Sequence, residues 1–113
     1  MIFVFIEDGT LDIINNVKDA QNNYEGIDVE SGVYDFYDEK GTYLKPKFTK
    51  PNKYKKYLFG LFSTVESGEF ILETSPNDQE DSFHQMLQDT QALNDNKYFH
   101  SLEELKTKYG TNT

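Results

Sequence analysis

The chain contains no cysteine, no arginine and no tryptophan, and only three prolines. Without cysteine there is no disulfide framework, no thiolate nucleophile, no cysteine-ligated zinc and no iron–sulfur cluster. Without arginine there is no bidentate clamp for phosphate or guanine. No apolar run approaches the roughly 20 residues that cross a bilayer. The amino-terminal MIFVFIED stops its apolar run at Glu7 and Asp8 and places the first lysine at Lys18. A secretory leader needs a basic start and a longer apolar stretch. The expectation is a cytoplasmic protein of bacterial type with no membrane association. Neither GxxxxGK[ST] nor GxGxxG occurs, so no phosphate cradle is predicted.

What is present is acid and aromatic carbon. The 113 residues carry 20 Asp and Glu against 11 Lys, a formal charge of −9, and include nine Phe and eight Tyr. Leu, Ile, Val and Phe make up 29 residues, enough apolar side chain for a core without staples. The charge is segregated. Residues 1–39 hold ten acids and one Lys, residues 40–65 hold seven Lys and no acid, and residues 66–113 hold ten acids and three Lys.

Hydrophobic periodicity predicts an α+β domain over residues 1–110 with a loose tail at 111–113. Its mainly antiparallel sheet has about five strands in the order β-α-β-β-β-β-α-α, with two or three helices packed on it. Ile2–Ile6 reads as a central strand buried on both faces. After the Asp8-Gly9 turn, Leu11–Ile14 could return as a hairpin. Ile13, Val17, Ala20 and Tyr24 instead fit one face of a helix over about 11–24, which is the preferred reading. Ile27 and Val29 alternate with Asp28 and Glu30 as in a strand, and Tyr34 and Phe36 continue that pattern. Asp38-Glu39-Lys40-Gly41 reads as a hairpin loop, with Thr42–Lys45 returning and Pro46 ending the ladder or confining it to an edge. Tyr57–Ser63, apolar on both faces, reads as another central strand. It forms a hairpin with the stretch carrying Phe70 and Leu72 after the turn at Glu66-Ser67-Gly68. A helix is expected from Ser75-Pro76-Asn77-Asp78 through the stripe Phe83, Met86, Leu87, Thr90 and Leu93. A shorter one starts at the capping box Ser101–Glu104 and ends at Gly110.

Catalytic constellations are weak. The two histidines, His84 and His100, read as structural or solvated. Glu80 and Asp81 share a helix face with His84, but acids in a first turn are expected from the helix dipole alone. No catalytic residue, metal site or cofactor is predicted. Two surfaces remain. The acidic cluster with tyrosines, Tyr24, Asp28, Glu30, Tyr34, Asp35 and Tyr37, suits docking of a basic protein. This leads to a non-catalytic interaction module, of which an immunity or antitoxin-type protein is one concrete form. The lysine stretch, Lys45, Lys47, Lys50, Lys53, Tyr54, Lys55 and Lys56, suggests single-stranded nucleic acid as an alternative. It reads more simply as a guarded sheet edge, so nucleic acid is the weaker partner. A ligand-binding or enzymatic domain with an aromatic-lined pocket is a further alternative. An exposed sheet edge would also allow a homodimer.

Overall fold

A computed structural model describes residues 1–57, 62–75 and 80–109. Strand β1, Ile2–Ile6, is an unbroken apolar run, and the structure buries both of its faces. It pairs antiparallel on one side with β2, Thr10–Ile14, and on the other with β3, Tyr34–Asp38. Between β2 and β3 lie two short helices, α1 at Val17–Asn23 and α2 at Gly26–Glu30. Strand β4, Tyr43–Lys50, follows β3, and β7, Glu69–Thr74, pairs antiparallel with β4. Helix α3, Glu80–Asp89, leads into the two-residue strand β8, Ala92–Leu93, which runs parallel to β2. Helix α4, Leu102–Lys108, is the last described helix. The six strands stand in the order β7-β4-β3-β1-β2-β8, so the fold is α+β with a mostly antiparallel sheet.

Alternation along β1 divides the core. Phe3 and Phe5 face one side with Leu11, Ile13 and Tyr37, covered by Phe83 and Leu87 of α3, Phe99, and Leu105 of α4. Phe3 meets Phe83 and Tyr109 edge to face, each at 5.3 Å between centroids. Ile2 and Val4 face the other side with Phe36, Leu44, Phe70 and Leu72, covered by Ala20 of α1 and Val29 of α2. No helix among the described residues is long and apolar enough to cross a membrane.

Several local expectations hold. The Asp38–Gly41 loop closes as a hairpin: Asp38 Oδ1 accepts the N–H groups of Lys40 and Thr42, and Gly41 supplies the positive φ of 83°. Ser101 caps α4 by accepting the Glu104 N–H at 3.1 Å. Phe83 and Leu87 of the predicted stripe are buried on α3, but the helix ends at Asp89, so the buried Thr90 follows it and Leu93 lies on β8 instead, where parallel pairing with β2 takes over. The expected helix start at Pro76–Asp78 lies outside the described residues, as does Gly110.

Other expectations are corrected. The helix expected over 11–24 is a strand followed by a shorter helix. Leu11 and Ile13 are buried on alternate positions of β2, and α1 begins only after Asn16, whose side chain accepts the Asp19 N–H at 2.8 Å. Pairing with β1 outweighs helical periodicity in so short a segment. The strand expected at Ile27–Glu30 is the one-turn helix α2, ended by the Gly32 N–H donating to the Val29 carbonyl. Two alternating pairs do not separate strand from helix. The strand expected to return over Thr42–Lys45 runs on to Lys50, but Pro46 does confine it to an edge as expected. The Tyr43 carbonyl accepts from Ser75 on the β7 side, so by alternation the missing N–H of Pro46 faces β3, whose pairing with β4 stops at Leu44.

The strand expected at Tyr57–Ser63 is also corrected. Tyr57 ends one strand, β5 at Lys53–Tyr57, and Phe62 begins the next, β6 at Phe62–Glu66. Residues 58–61, between them, lie outside the described residues. These two strands pair only with each other, as a separate two-stranded sheet. They form an arm, and β7 turns to β4 rather than to β6. The molecule is elongated, 57 × 27 × 22 Å, with a radius of gyration of 16.0 Å. A compact chain of this length would have about 13 Å.

The arm has a fixed root. Asn52 accepts the Gly68 N–H at 2.7 Å and donates to the Gly26 carbonyl at 3.2 Å, tying the arm's two ends to the start of α2. A Cβ on Gly68 would stand 2.0 Å from the Lys50 carbonyl oxygen, which only glycine allows. Gly68→Ala is therefore expected to cost about 1–3 kcal/mol in urea denaturation. An unchanged midpoint would contradict the close approach.

Candidate protein-docking surface

On the face of the sheet covered by α1 and α2, acids and tyrosines gather from the β1–β2 turn, β2, the two helices and β3. Asp12 lies opposite Val4 in the β1–β2 register and so faces the α1–α2 side. Tyr24 caps the end of α1, and its hydroxyl donates to Asp12 Oδ2 at 2.6 Å. Asp12 Oδ1 accepts from the Asn94 side chain at 2.6 Å, so one carboxylate joins β2, α1 and the 94–98 loop. The Tyr24 ring packs on Tyr34 of β3, centroids 4.5 Å apart, and on Phe36 at 5.7 Å.

The electrostatics of this surface are uniformly negative. Burial, the hydrogen bond to Asp12 and the Asp12 charge hold the Tyr24 phenol far above its ordinary range. Burial also raises Tyr34, followed by the negative charges of Asp28, Asp12, Glu25 and Asp8. Among the described residues no lysine forms an ion pair with any of these four acids. The Tyr34 hydroxyl likewise has no hydrogen-bond partner among the described residues.

Only part of the predicted acidic set meets here. Tyr24, Asp28 and Tyr34 come together. Glu30 sits exposed on the last turn of α2, two positions from Asp28 and so on a different side of the helix. Asp35 and Tyr37 point to the opposite face of the sheet. Tyr37 is core, 5 % exposed and packed edge to face on Phe5 and Phe83. Asp35 lies opposite Phe5, half-buried, and desolvation pushes its carboxyl above the ordinary value. Glu25, which the sequence places in the same acidic run, belongs to the surface, as do Asp8 and Asp12, which the sequence does not single out for it. The signal for Asp12 was its place between Leu11 and Ile13, legible once that segment is a strand.

The lysine stretch is divided between two elements. Lys47 and Lys50 of β4 form exposed ion pairs with Glu73 and Glu69 of β7, at 3.9 and 3.6 Å, and Lys45 stands opposite Glu73. Such surface pairs contribute at most about 1 kcal/mol each. Lys53, Tyr54, Lys55 and Lys56 belong to β5 of the arm, where Tyr54 is 61 % exposed.

Other sites are less developed. His84 and His100 are both exposed, and the backbone N–H of His100 donates to Glu104. Among the described residues no group of three His, Cys, Asp or Glu could hold a metal ion. A cleft of about 340 Å³ lies between the β1–β2 turn and the end of α3, lined by Phe5 and Met86 with Thr10, Asp89, Thr90 and Gln91. Comparison with protein-family models, with curated proteins and with solved structures finds no match.

Two titrations follow from these environments. A phenol with a raised value in the folded state stabilises the fold below 10, its ordinary value, and that stability is lost as pH rises above it. Tyr24→Phe should cost about 1–2 kcal/mol at neutral pH, from the lost bond to Asp12, and should flatten the alkaline decline in stability. An unaltered alkaline profile would contradict this environment for Tyr24. For Asp35 the protonated form is the favoured one in the fold. Its contribution is present below 3.8, the ordinary value, and lost as pH rises through the raised one. Asp35→Asn should therefore make thermal stability less dependent on pH above 3.8 and raise it at neutral pH, and a lower melting temperature at neutral pH would contradict the desolvation argument.

Proposed function

We propose that the chain is a non-catalytic protein-interaction module whose acidic surface around Tyr24 and Tyr34 docks a basic protein. One observation carries this reading: Asp8, Asp12, Glu25 and Asp28 surround a tyrosine pair, and among the described residues none has a lysine partner. Two of the chain's own lysines on β4, Lys47 and Lys50, are engaged with β7 instead. Uncompensated carboxylates raise the rate of encounter with a cationic surface. Tyrosine supplies the anchor area that dominates binding once water is excluded, and the free hydroxyl of Tyr34 adds a specific hydrogen bond.

An immunity- or antitoxin-type role, masking a basic nuclease-like partner, is the concrete form of this proposal. The test is co-expression with the basic product of an adjacent gene, followed by calorimetry at several salt concentrations. Binding should weaken as salt rises. Tyr34→Ala, and separately Glu25→Gln with Asp28→Asn, should each lower affinity at least about tenfold, since about 1.4 kcal/mol is tenfold in Kd. Absence of a complex, or equal affinity for the variants, would overturn the proposal.

A further inference from the structure

The β5–β6 arm is a sheet of only two strands, and a two-stranded hairpin alone in water is marginally stable at best. Its directly opposed residues Tyr54 and Val65 are 61 % and 50 % exposed, the two most exposed of the large hydrophobic side chains described. The root at Asn52 and Gly68 nevertheless holds it in place against α2. The side chains described on the arm, those of residues 53–55 and 64–66, are all exposed, as on a strand pair short of a neighbour.

Among the described residues, the outermost strands of the two sheets are not equivalent. At one end of the six-stranded sheet, the outward Leu72 N–H of β7 is taken by the Gln21 side chain at 2.8 Å. At the other end, β8 is two residues long. Both devices blunt an edge. On the arm, β5 reads Lys-Tyr-Lys-Lys-Tyr, the lysine guard that keeps strands from adding. Strand β6 reads Phe-Ser-Thr-Val-Glu and carries no charge before Glu66. It pairs with β5 on one side, so the backbone groups of alternate residues face outward. Among the described residues, no other element hydrogen-bonds to that outer side.

We propose that the arm is a dimerisation element in which the β6 edge of one copy pairs antiparallel with the β6 edge of a second copy. The product is a four-stranded sheet in the order β5-β6-β6-β5. The β6 edge, uncharged before Glu66, is complementary to itself, and charge favours pairing of two copies through their arms over contact between their bodies. The arm from Lys53 to Glu66 holds three lysines and one glutamate, so the rest of each chain carries −11. Two bodies in direct contact would repel. Two arms paired through β6 place a cationic layer between the bodies and keep both lysine strands on the outside of the new sheet. Antiparallel pairing of identical strands generates a two-fold axis perpendicular to the sheet, which closes the assembly at two copies. It also sets the Tyr54–Val65 pair of each copy on the same face, as one apolar stripe.

Sedimentation of the full chain over a wide concentration range tests this. The wild type should move from the 13.2 kDa protomer toward twice that mass, and the association should strengthen with added salt because the copies share a net charge of −9. Thr64→Lys with Val65→Lys should leave a monomer at every concentration, with an unchanged circular dichroism spectrum, while Lys55→Ala should associate as the wild type does. Hydrogen exchange provides a measurement free of substitutions: β6 amides should gain protection as wild-type concentration rises. A wild type that stays monomeric would overturn the proposal. So would a dimer that survives the two lysines, or one that dissociates as salt rises.

Discussion

The burial of β1 on both faces is the constraint from which the rest of the structure follows. Phe3 and Val4 are each fully buried, on opposite sides of one strand. Neither can be covered unless the chain supplies helices to both sides of the sheet. The amino-terminal half supplies α1 and α2 to the side of Val4, and the carboxy-terminal third supplies α3 and α4 to the side of Phe3. The hydrogen bonds of β1 are completed by β2 and β3, its neighbours in both sequence and space. On the Val4 side the apolar face is bordered by Asp12 of β2, Tyr24 and Tyr34. The candidate docking surface is thus the rim of one half of the core, held by the same packing.

The net charge of −9 conceals a division of labour. The seven lysines of residues 40–65 do not form one patch against the acidic bodies. Lys47 and Lys50 of β4 answer the glutamates of β7 and knit an exposed strand pair. Those on β5 stand on an arm that belongs to no other sheet. Among the described residues, the acids near Tyr34 have no lysine partner. The body thus carries an acidic surface, and the arm carries a lysine-rich strand apart from it.

Features that depend on a few consecutive residues were legible in the sequence. The run Ile2–Ile6 announced a doubly buried strand. Asp38 and Gly41 specified a turn, and Ser101 with Glu104 specified a helix start, because the bonding groups lie within one turn of each other. The errors fall where a distant partner decides. Residues 10–14 are a strand because β1 needs a neighbour, although Ile13, Val17 and Ala20 keep helical spacing. Gly26–Glu30 is helical because Val29 must cover Phe36 and Leu44 from above the sheet. Tyr57–Ser63 reads as one central strand by its apolar residues, but β5 ends at Tyr57, β6 begins at Phe62, and the two pair only with each other. The acidic cluster was legible by composition and not by face. Asp35 and Tyr37 are separated from Tyr34 by the pleat, and Asp12 enters only through pairing that one sequence does not reveal.

Tyr34 is a built-in probe of whether the acidic surface is uncompensated. Carbon-13 NMR of its ring carbon bearing the hydroxyl, followed through alkaline pH, reads the phenol directly. The midpoint should lie above 10, the ordinary tyrosine value, and should fall toward it when Glu25 and Asp28 are made neutral. A midpoint at or below 10 in the native protein, as a lysine neighbour would produce, would contradict an acidic docking surface left open for a basic partner.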